Sequence, residues 1–356
     1  MKFLIAGFGS IGRRHFRNLY ELGERDFVFY RSNQSTLADD EISDYPCETD
    51  LSTALSHKPD VVVISNPTSL HLDIAIPAAE AGCHLFIEKP LSHSMERVDN
   101  LKKLVVKSGS KVLVGFQFRY HPQLVKIQDL ISKGVIGTCV SVRVQWGEYL
   151  PDWHPWEDYR VGYSARKDLG GGVVLTLCHP LDYVRWLLGE VSNLWAFTSI
   201  VDELGIEVEG VAEIGLGFIN GVIGHIHLDY IQRPPSHNLE IVGSEGKVSW
   251  DYRTGDLRIY NHAKDKPEII GLSEGFERNQ IFKDQMRHLI SVVNGDEKPR
   301  CSLDDGIRVQ QLVAAVYKSS QEKKIIQMMK PQITSPKDQF TGLNVLNIEY
   351  LKGIDN

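Results

Sequence analysis

Cysteine is scarce in this chain of 356 residues: Cys47, Cys83, Cys139, Cys178 and Cys301 are odd in number, lie far apart and form no CxxC pair. That pattern argues against a disulfide framework and a zinc site, so reduced, mostly buried thiols and no metal are expected. Long apolar runs are missing too. No stretch approaches the roughly 18 apolar residues that span a bilayer, and the chain opens on a strand pattern with no signal peptide ahead of it, so no membrane partner and a cytoplasmic location are expected. Runs of basic residues are equally absent. Lys and Arg are scattered and the formal net charge is -7, which gives a nucleic-acid partner no footing and mainly favours solubility.

What is present is the material of a globular protein, 42% hydrophobic and 24% charged, long enough for two domains. Through residue 120, β-branched apolar runs alternate with amphipathic stretches. The strand candidates are 2–9, 26–32, 60–67, 84–90 and 111–118. Between them "IGRRHFRNLYELG", "SLHLDIAIPAAEAG" and "SMERVDNLKKLVVKSG" carry helical periodicity and end at Gly. Continuously apolar strands separated by helices describe a parallel sheet covered on both faces, hence a doubly wound α/β domain over 1–120. From about residue 137 the pattern becomes period-two alternation with turn signals at Asn220-Gly221 and Gly243–Gly246. Residues 121–330 are therefore expected to form an α+β domain on a large open antiparallel sheet. Helices are expected near 275–294 and 303–321, the latter a candidate to pack back on the first domain. The Pro-punctuated tail, 331–356, reads either as an arm docking on another subunit or as a frayed terminus.

"GFGSIG" closes the first strand run and opens a helix. In that strand-turn-helix setting a GxGxxG predicts a dinucleotide site. Gly7 permits the tight turn, Gly9 the approach of a pyrophosphate and Gly12 close helix packing, while the helix start at Ser10 and Ile11 offers unpaired N–H groups. The second strand ends "FYRSN", with no carboxylate at Tyr30, Arg31 or Ser32. A guanidinium beside a hydroxyl suits a 2′-phosphate, so NADP is favoured as cofactor, with NAD the alternative.

Three further stretches carry a resemblance: "NPTSLH" after the third strand, "EKP" after the fourth, and "GGGVVLTLCHPLDYVRWLLG" at 170–189. With the glycine loop, in this order and spacing, the chain resembles the glucose-fructose oxidoreductase / inositol dehydrogenase (Gfo/Idh/MocA) family from residue 1 to about 325. The resemblance implies a Rossmann domain, a second domain with an open sheet, sheet-mediated homodimers or homotetramers, and oxidation or reduction of a sugar, sugar derivative or nucleotide sugar. It implies that Asn66, Pro67 and His71 line the cofactor, as do Glu88, Lys89 and Pro90. It also implies that Lys89 touches the reacting oxygen and that His179 is the acid/base. One departure stands out. Many relatives carry Asp three or four residues before this histidine, where this chain has Leu175 and Thr176, leaving Thr176 only a binding role.

The residues themselves support these roles. Ligands of open α/β sheets bind beyond the carboxyl ends of the strands, so a lysine at such an end points into the crevice, and Pro90 takes the chain out of the sheet. Pro180 fits a first helical position, making His179 the expected cap, at the positive end of the dipole where a neutral ring is favoured. Asp182 either orients that ring or caps the first turn. The loop 146–172 is dense in aromatic and cationic residues. Tyr149, Trp153, Trp156 and Tyr163 are candidates to stack on a sugar, and Arg160 and Arg166 to reach a carboxylate or phosphate; an oligomer interface uses the same residue types. Arg119, in "GFQFRYHP", is expected near cofactor or substrate. A redox-neutral lyase or glycosidase and a non-enzymatic dinucleotide sensor are the alternative functions.

Overall fold

The computed structural model describes residues 1–32 and 40–329; the tail 331–356 lies outside the described residues. The first domain runs β1 (Lys2–Ala6), α1 (Ser10–Glu21), β2 (Asp26–Tyr30), β3 (Cys47–Glu48), α2 (Leu51–Ser56), β4 (Val61–Ile64), α3 (His71–Glu80), β5 (His84–Ile87), α4 (Val98–Ser108) and β6 (Val112–Val114). Its strands form one parallel sheet in the order β3-β2-β1-β4-β5-β6. Phe3–Ala6, Val61–Ile64 and Leu85–Ile87 are fully buried, as a sheet covered on both faces requires.

The apolar runs overshoot the strands. Each strand stops short, and the overshoot residues form the loops at its carboxyl end: Gly7–Gly9, Arg31 and Ser32, Asn66 and Pro67, Glu88–Pro90, and the Gln117–Tyr120 turn. The strand order reverses beside β1, between β2 and β4, so these loops share the edge where doubly wound sheets bind ligands.

The second domain continues α5 (Pro122–Ser132), β7 (Cys139–Tyr149), α6 (Val173–Thr176), α7 (His179–Leu188), β8 (Val191–Ser199), β9 (Val211–Phe218), β10 (Ile223–Asp229), β11 (Ile231–Gly243), β12 (Gly246–Asp251), β13 (Asp256–Asn261), β14 (Glu268–Ile270), α8 (Asn279–Asn294), α9 (Leu303–Glu322) and β15 (Ile326–Gln327). Its sheet has nine strands in the order β14-β13-β12-β11-β7-β10-β9-β8-β15. The expected open antiparallel sheet is present, with one parallel pair inside it: β7 and β10 run parallel, Ser141 against Ile223 through Gly147 against Asp229. Period-two alternation sets which face a residue takes but not the direction of the neighbouring strand. One face carries Val144, Trp146, Ile226, Leu228, Leu239 and Trp250 into the core. The other is open, with Phe197, Glu213 and His227 in one cross-strand row and Trp195, Gly215 and His225 in the next.

The last two helices join the domains. Asn18 of α1 and Asn279 of α8 exchange side-chain amide bonds at 3.4 and 2.8 Å. On the other side Val114 N–H donates to Cys301 O at 2.9 Å, and Gly306 of α9 packs so tightly on Val114 that a Cβ there would approach it to 2.8 Å. No helix among the described residues is long and apolar enough to cross a membrane.

Candidate active site

The glycine loop has the shape that a bound dinucleotide requires. Gly7 sits at φ +91°, and a Cβ there would lie 2.7 Å from Asn66 N; one on Gly12 would lie 2.2 Å from Gly7 O. Both positions demand glycine for packing. Around Gly9 a Cβ would meet nothing within 4 Å, so the backbone before α1 faces open space. Ser10 is exposed, and Ile11 packs against Tyr120, Ile281 and Phe282. Asn66 Oδ1 is buried without a partner, an acceptor left for a ligand group. These features fit a nicotinamide dinucleotide laid across the carboxyl edge of the sheet. Arg31 is partly buried and Ser32 exposed, directly past β2.

His71 is only 1% exposed, with Nδ1 3.0 Å from Pro90 O and Nε2 3.0 Å from Asn66 O. It ties the turn after β4 to the turn after β5. Glu88 is buried too, its Oε1 2.6 Å from His15 Nε2 of α1. Burial works against the Glu88 carboxylate, but His15 and then Lys89 outweigh it and hold its pKa below the ordinary value. His15 was not singled out by sequence reasoning. Its signal was its place three residues past Gly12 on the buried side of α1.

Lys89 reaches across to the second domain, where its Nζ donates to the carbonyl of Thr176 at 2.6 Å. Thr176 thus contributes its backbone oxygen. Burial opposes the Lys89 ammonium, yet Tyr163, Cys178 and Glu88 outweigh it and raise its pKa, so it is charged at neutral pH. His179 behaves oppositely. Burial, then Lys89, His237 and Arg278, push its pKa well below the usual histidine value, so its ring is neutral. Cys178 occupies the cap of α7 and His179 its first helical position, so the helix starts one residue earlier than Pro180 had indicated. The ring stacks on Trp146 at 5.7 Å and meets Phe116 and Phe118 edge-on. The Gln117 side-chain amide lies 3.3 Å from Nε2, and Nδ1 is buried without a partner. Gln117 is a second residue that sequence reasoning missed, because only the fold brings it beside His179.

Other expected residues fall elsewhere. Arg119 and Asp182 are 3% and 1% exposed and paired with each other, Arg119 Nη2 to Asp182 Oδ1 at 2.7 Å and Nε to Oδ2 at 3.0 Å. Asp182 therefore neither orients His179 nor caps the helix; it holds Arg119 in an internal ion pair. Arg160 and Arg166 are exposed and pair with Asp158 and Asp168; with Lys167 they line a separate hollow of about 510 Å³ that excludes Lys89 and His179. Trp156 is exposed against His154, Trp153 packs edge-on to Tyr230, and Tyr149 lies under the Arg233 guanidinium at 3.3 Å. Of the aromatic loop, Tyr163 acts on Lys89 and helps to raise its pKa.

Next to the site, His121 and His237 pack with Phe118, Trp250 and Tyr252. Both ring nitrogens of His121 are buried without partners, and burial lowers its pKa to about 4. A depressed histidine binds its proton more readily in the unfolded chain, so its contribution is full above its unfolded pKa of about 6.5 and declines as pH falls. His227, raised to about 9 by Asp229 and then Glu213, runs the other way: its contribution is present below pH of about 6.5 and lost as pH rises through 9. His121→Phe is expected to flatten the pH dependence, removing a loss of about 2 kcal/mol between pH 7 and 5. Urea unfolding at both pH values checks this; an unchanged slope would show that His121 does not titrate this way.

A six-strand parallel sheet with a glycine loop at its switch point, facing a lysine and a neutral histidine drawn from two domains, defines a nicotinamide-dependent oxidoreductase. Residues 1–116 match the family described as an oxidoreductase family with an NAD-binding Rossmann fold, and residues 124–249 match the GFO/IDH/MocA C-terminal domain. The chain belongs to the GFO/IDH/MocA oxidoreductase family. Among its relatives is a myo-inositol 2-dehydrogenase from Thermotoga maritima, 26% identical over 349 residues, 92% of this chain and 98% of the relative. A levoglucosan dehydrogenase solved with NADH superposes with TM-score 0.83 at 20% identity, over 93% of this chain and 100% of that one. The WlbA dehydrogenase from Bordetella pertussis, solved with NADH and UDP-GlcNAcA, gives 0.78 at 21% identity, over 93% and 99%. At that identity the two structures speak for the fold.

Proposed function

We propose that this protein moves a hydride between a nicotinamide cofactor and a secondary hydroxyl or ketone of a sugar, sugar derivative or nucleotide sugar. The observation that carries the reading is the opposed protonation of two neighbours: Lys89 charged and His179 neutral, in one crevice. The nicotinamide supplies a two-electron hydride acceptor or donor. In the oxidation direction the substrate's C–H hydrogen leaves with both electrons, the O–H proton passes to the imidazole of His179, and Lys89 holds the oxygen as it becomes a carbonyl. In reduction the ammonium polarises the carbonyl and the proton returns. Relatives named for inositol, levoglucosan and xylose support a sugar substrate. Purified protein should therefore change nicotinamide absorbance with at least one sugar or nucleotide sugar, and the reading falls if cofactor binds but no such compound reacts.

We assign the cofactor as NADP on the absence of a carboxylate at residues 30–32 and the presence of Arg31 past β2. Arg31→Asp is expected to weaken NADPH binding about tenfold or more relative to NADH, the scale of one charge-assisted contact. An unchanged NADPH-to-NADH ratio in a fluorescence titration would show that Arg31 does not read the phosphate.

We also propose a second copy of the chain as partner for the open sheet face, where Trp195, Phe197 and Ile223 stand exposed at 40%, 63% and 64%. Light scattering should give a dimer or tetramer mass, and Phe197→Glu should reduce it. A monomeric wild type would rule the interface out.

A further inference from the structure

Arg14 opens the second turn of α1, its guanidinium over the Phe282 ring at 4.6 Å. Phe282 belongs to α8, whose first residue, Asn279, is pinned to Asn18. Arg278 directly precedes that pin. On its other side Phe276 meets His121 edge-on at 5.6 Å, and His121 lies 5.7 Å from Tyr252. Arg278 is thus suspended between α1 and the sheet end that carries Tyr252, and it remains exposed. Arg278 also precedes Phe282 by four residues, about one helical turn, so the two share the face of α8 on which Arg14 rests; after burial, its charge is among the causes that lower the pKa of Arg14, His179 and His237.

Other cations of these elements have acidic partners: Arg13 and Arg17 share Glu41, and Arg119 has Asp182. The buried Glu88 carboxylate acts on Arg14 but is held by His15. Among the described residues no carboxylate lies within ion-pair distance of Arg14, Arg278 or Lys89. Burial first, and then the like charge of Arg278, lower the pKa of Arg14, while Glu88 and Tyr252 act in the opposite direction. An anion between them relieves that repulsion and gains charge-assisted hydrogen bonds. The pyrophosphate belongs at the open backbone of Gly9, whereas Tyr252, His179 and His237 come from the second domain, the substrate side.

Building on the sugar-oxidoreductase reading, we infer that the substrate carries its own negative charge, a carboxylate or phosphate on the sugar, held by the Arg14 and Arg278 guanidinium groups. The test is calorimetry of NADPH-loaded, full-length protein with D-glucuronate, D-glucose 6-phosphate and D-glucose as probes. At least one anionic probe is expected to bind roughly 10- to 100-fold tighter than glucose. Arg278→Met should remove that preference and Arg278→Lys keep part of it, with cofactor dissociation constants unchanged within about twofold. Equal or undetectable binding of anions and glucose overturns the proposal. So does an anion preference that survives Arg278→Met, or a variant that loses cofactor affinity alone, which would assign the pair to the cofactor's phosphates. Turnover of neutral sugars without anion preference would leave the dehydrogenase reading standing while removing this one. Anion preference lost in Arg278→Met, with no redox change on any sugar, would do the reverse.

Discussion

Lys89→Met is expected to lower turnover by roughly a hundredfold to ten-thousandfold, the range of a positioned proton-handling group, while cofactor binding and thermal unfolding stay close to wild type. The chain places Lys89 directly after β5, at the carboxyl edge of the parallel sheet, and its Nζ is already tied to Thr176 O across the domain boundary. Methionine keeps most of the side-chain volume and removes only the ammonium. Two outcomes separate the candidate roles. If Lys89 polarises the reacting oxygen, kcat falls and KM moves little, because the contact strengthens as charge develops on that oxygen. If Lys89 only joins the domains through Thr176, kcat stays near wild type and unfolding shifts to lower denaturant. Steady-state kinetics with NADPH and a reactive sugar, alongside urea unfolding, distinguishes them.

Arg119→Met is expected to destabilise the fold by about 3–5 kcal/mol, because it strands the buried Asp182 carboxylate. Burial works against the Arg119 guanidinium, but Asp182, and beyond it Asp305, outweigh it and raise its pKa well above the ordinary value. The pair joins the Gln117–Tyr120 turn after β6 to the first turn of α7, which begins at His179. Its loss therefore reaches the site through the frame that carries it. The double variant Arg119→Met, Asp182→Leu should recover most of the loss, since replacing both charges by apolar groups is far milder than removing one. Urea unfolding of the single and double variants checks this. A single-variant loss below about 1 kcal/mol would place the pair among surface-like bridges of small effect.

Much of the architecture was readable because it repeats locally. Continuous apolar runs ending at Gly7, Asn66 and Glu88 mark buried parallel strands, and the glycine spacing marks the turn into α1. The same runs made the strands too long, since an apolar pattern does not end where hydrogen bonding ends. Four strands escaped the reading: β3 pairs only Cys47 and Glu48 at a sheet edge, β14 and β15 are three and two residues long at the two ends of the second sheet, and in β8 the period-two signal is broken early by Ser192 and Asn193. Lys89 and His179 were legible from motif and position. Their surroundings were not. Glu88 with His15, and Arg119 with Asp182, lie 73 and 63 residues apart in the chain, and no local pattern encodes such pairings. Arg278 looks in the sequence like any solvated arginine ahead of a helix, and only the docking of α8 on α1 brings it toward Lys89.

The central claim is that bound nicotinamide exchanges a hydride with a sugar, with Lys89 and His179 handling the proton. It is tested most directly by single-turnover absorbance of the nicotinamide after mixing loaded enzyme with a panel of neutral, acidic and nucleotide-linked sugars. A change in reduced-nicotinamide absorbance with at least one sugar, slowed roughly a hundredfold to ten-thousandfold in Lys89→Met and slowed also in His179→Asn, is the predicted result. Tight cofactor binding with no absorbance change on any sugar, while product accumulates by mass, would contradict it and point to redox-neutral chemistry.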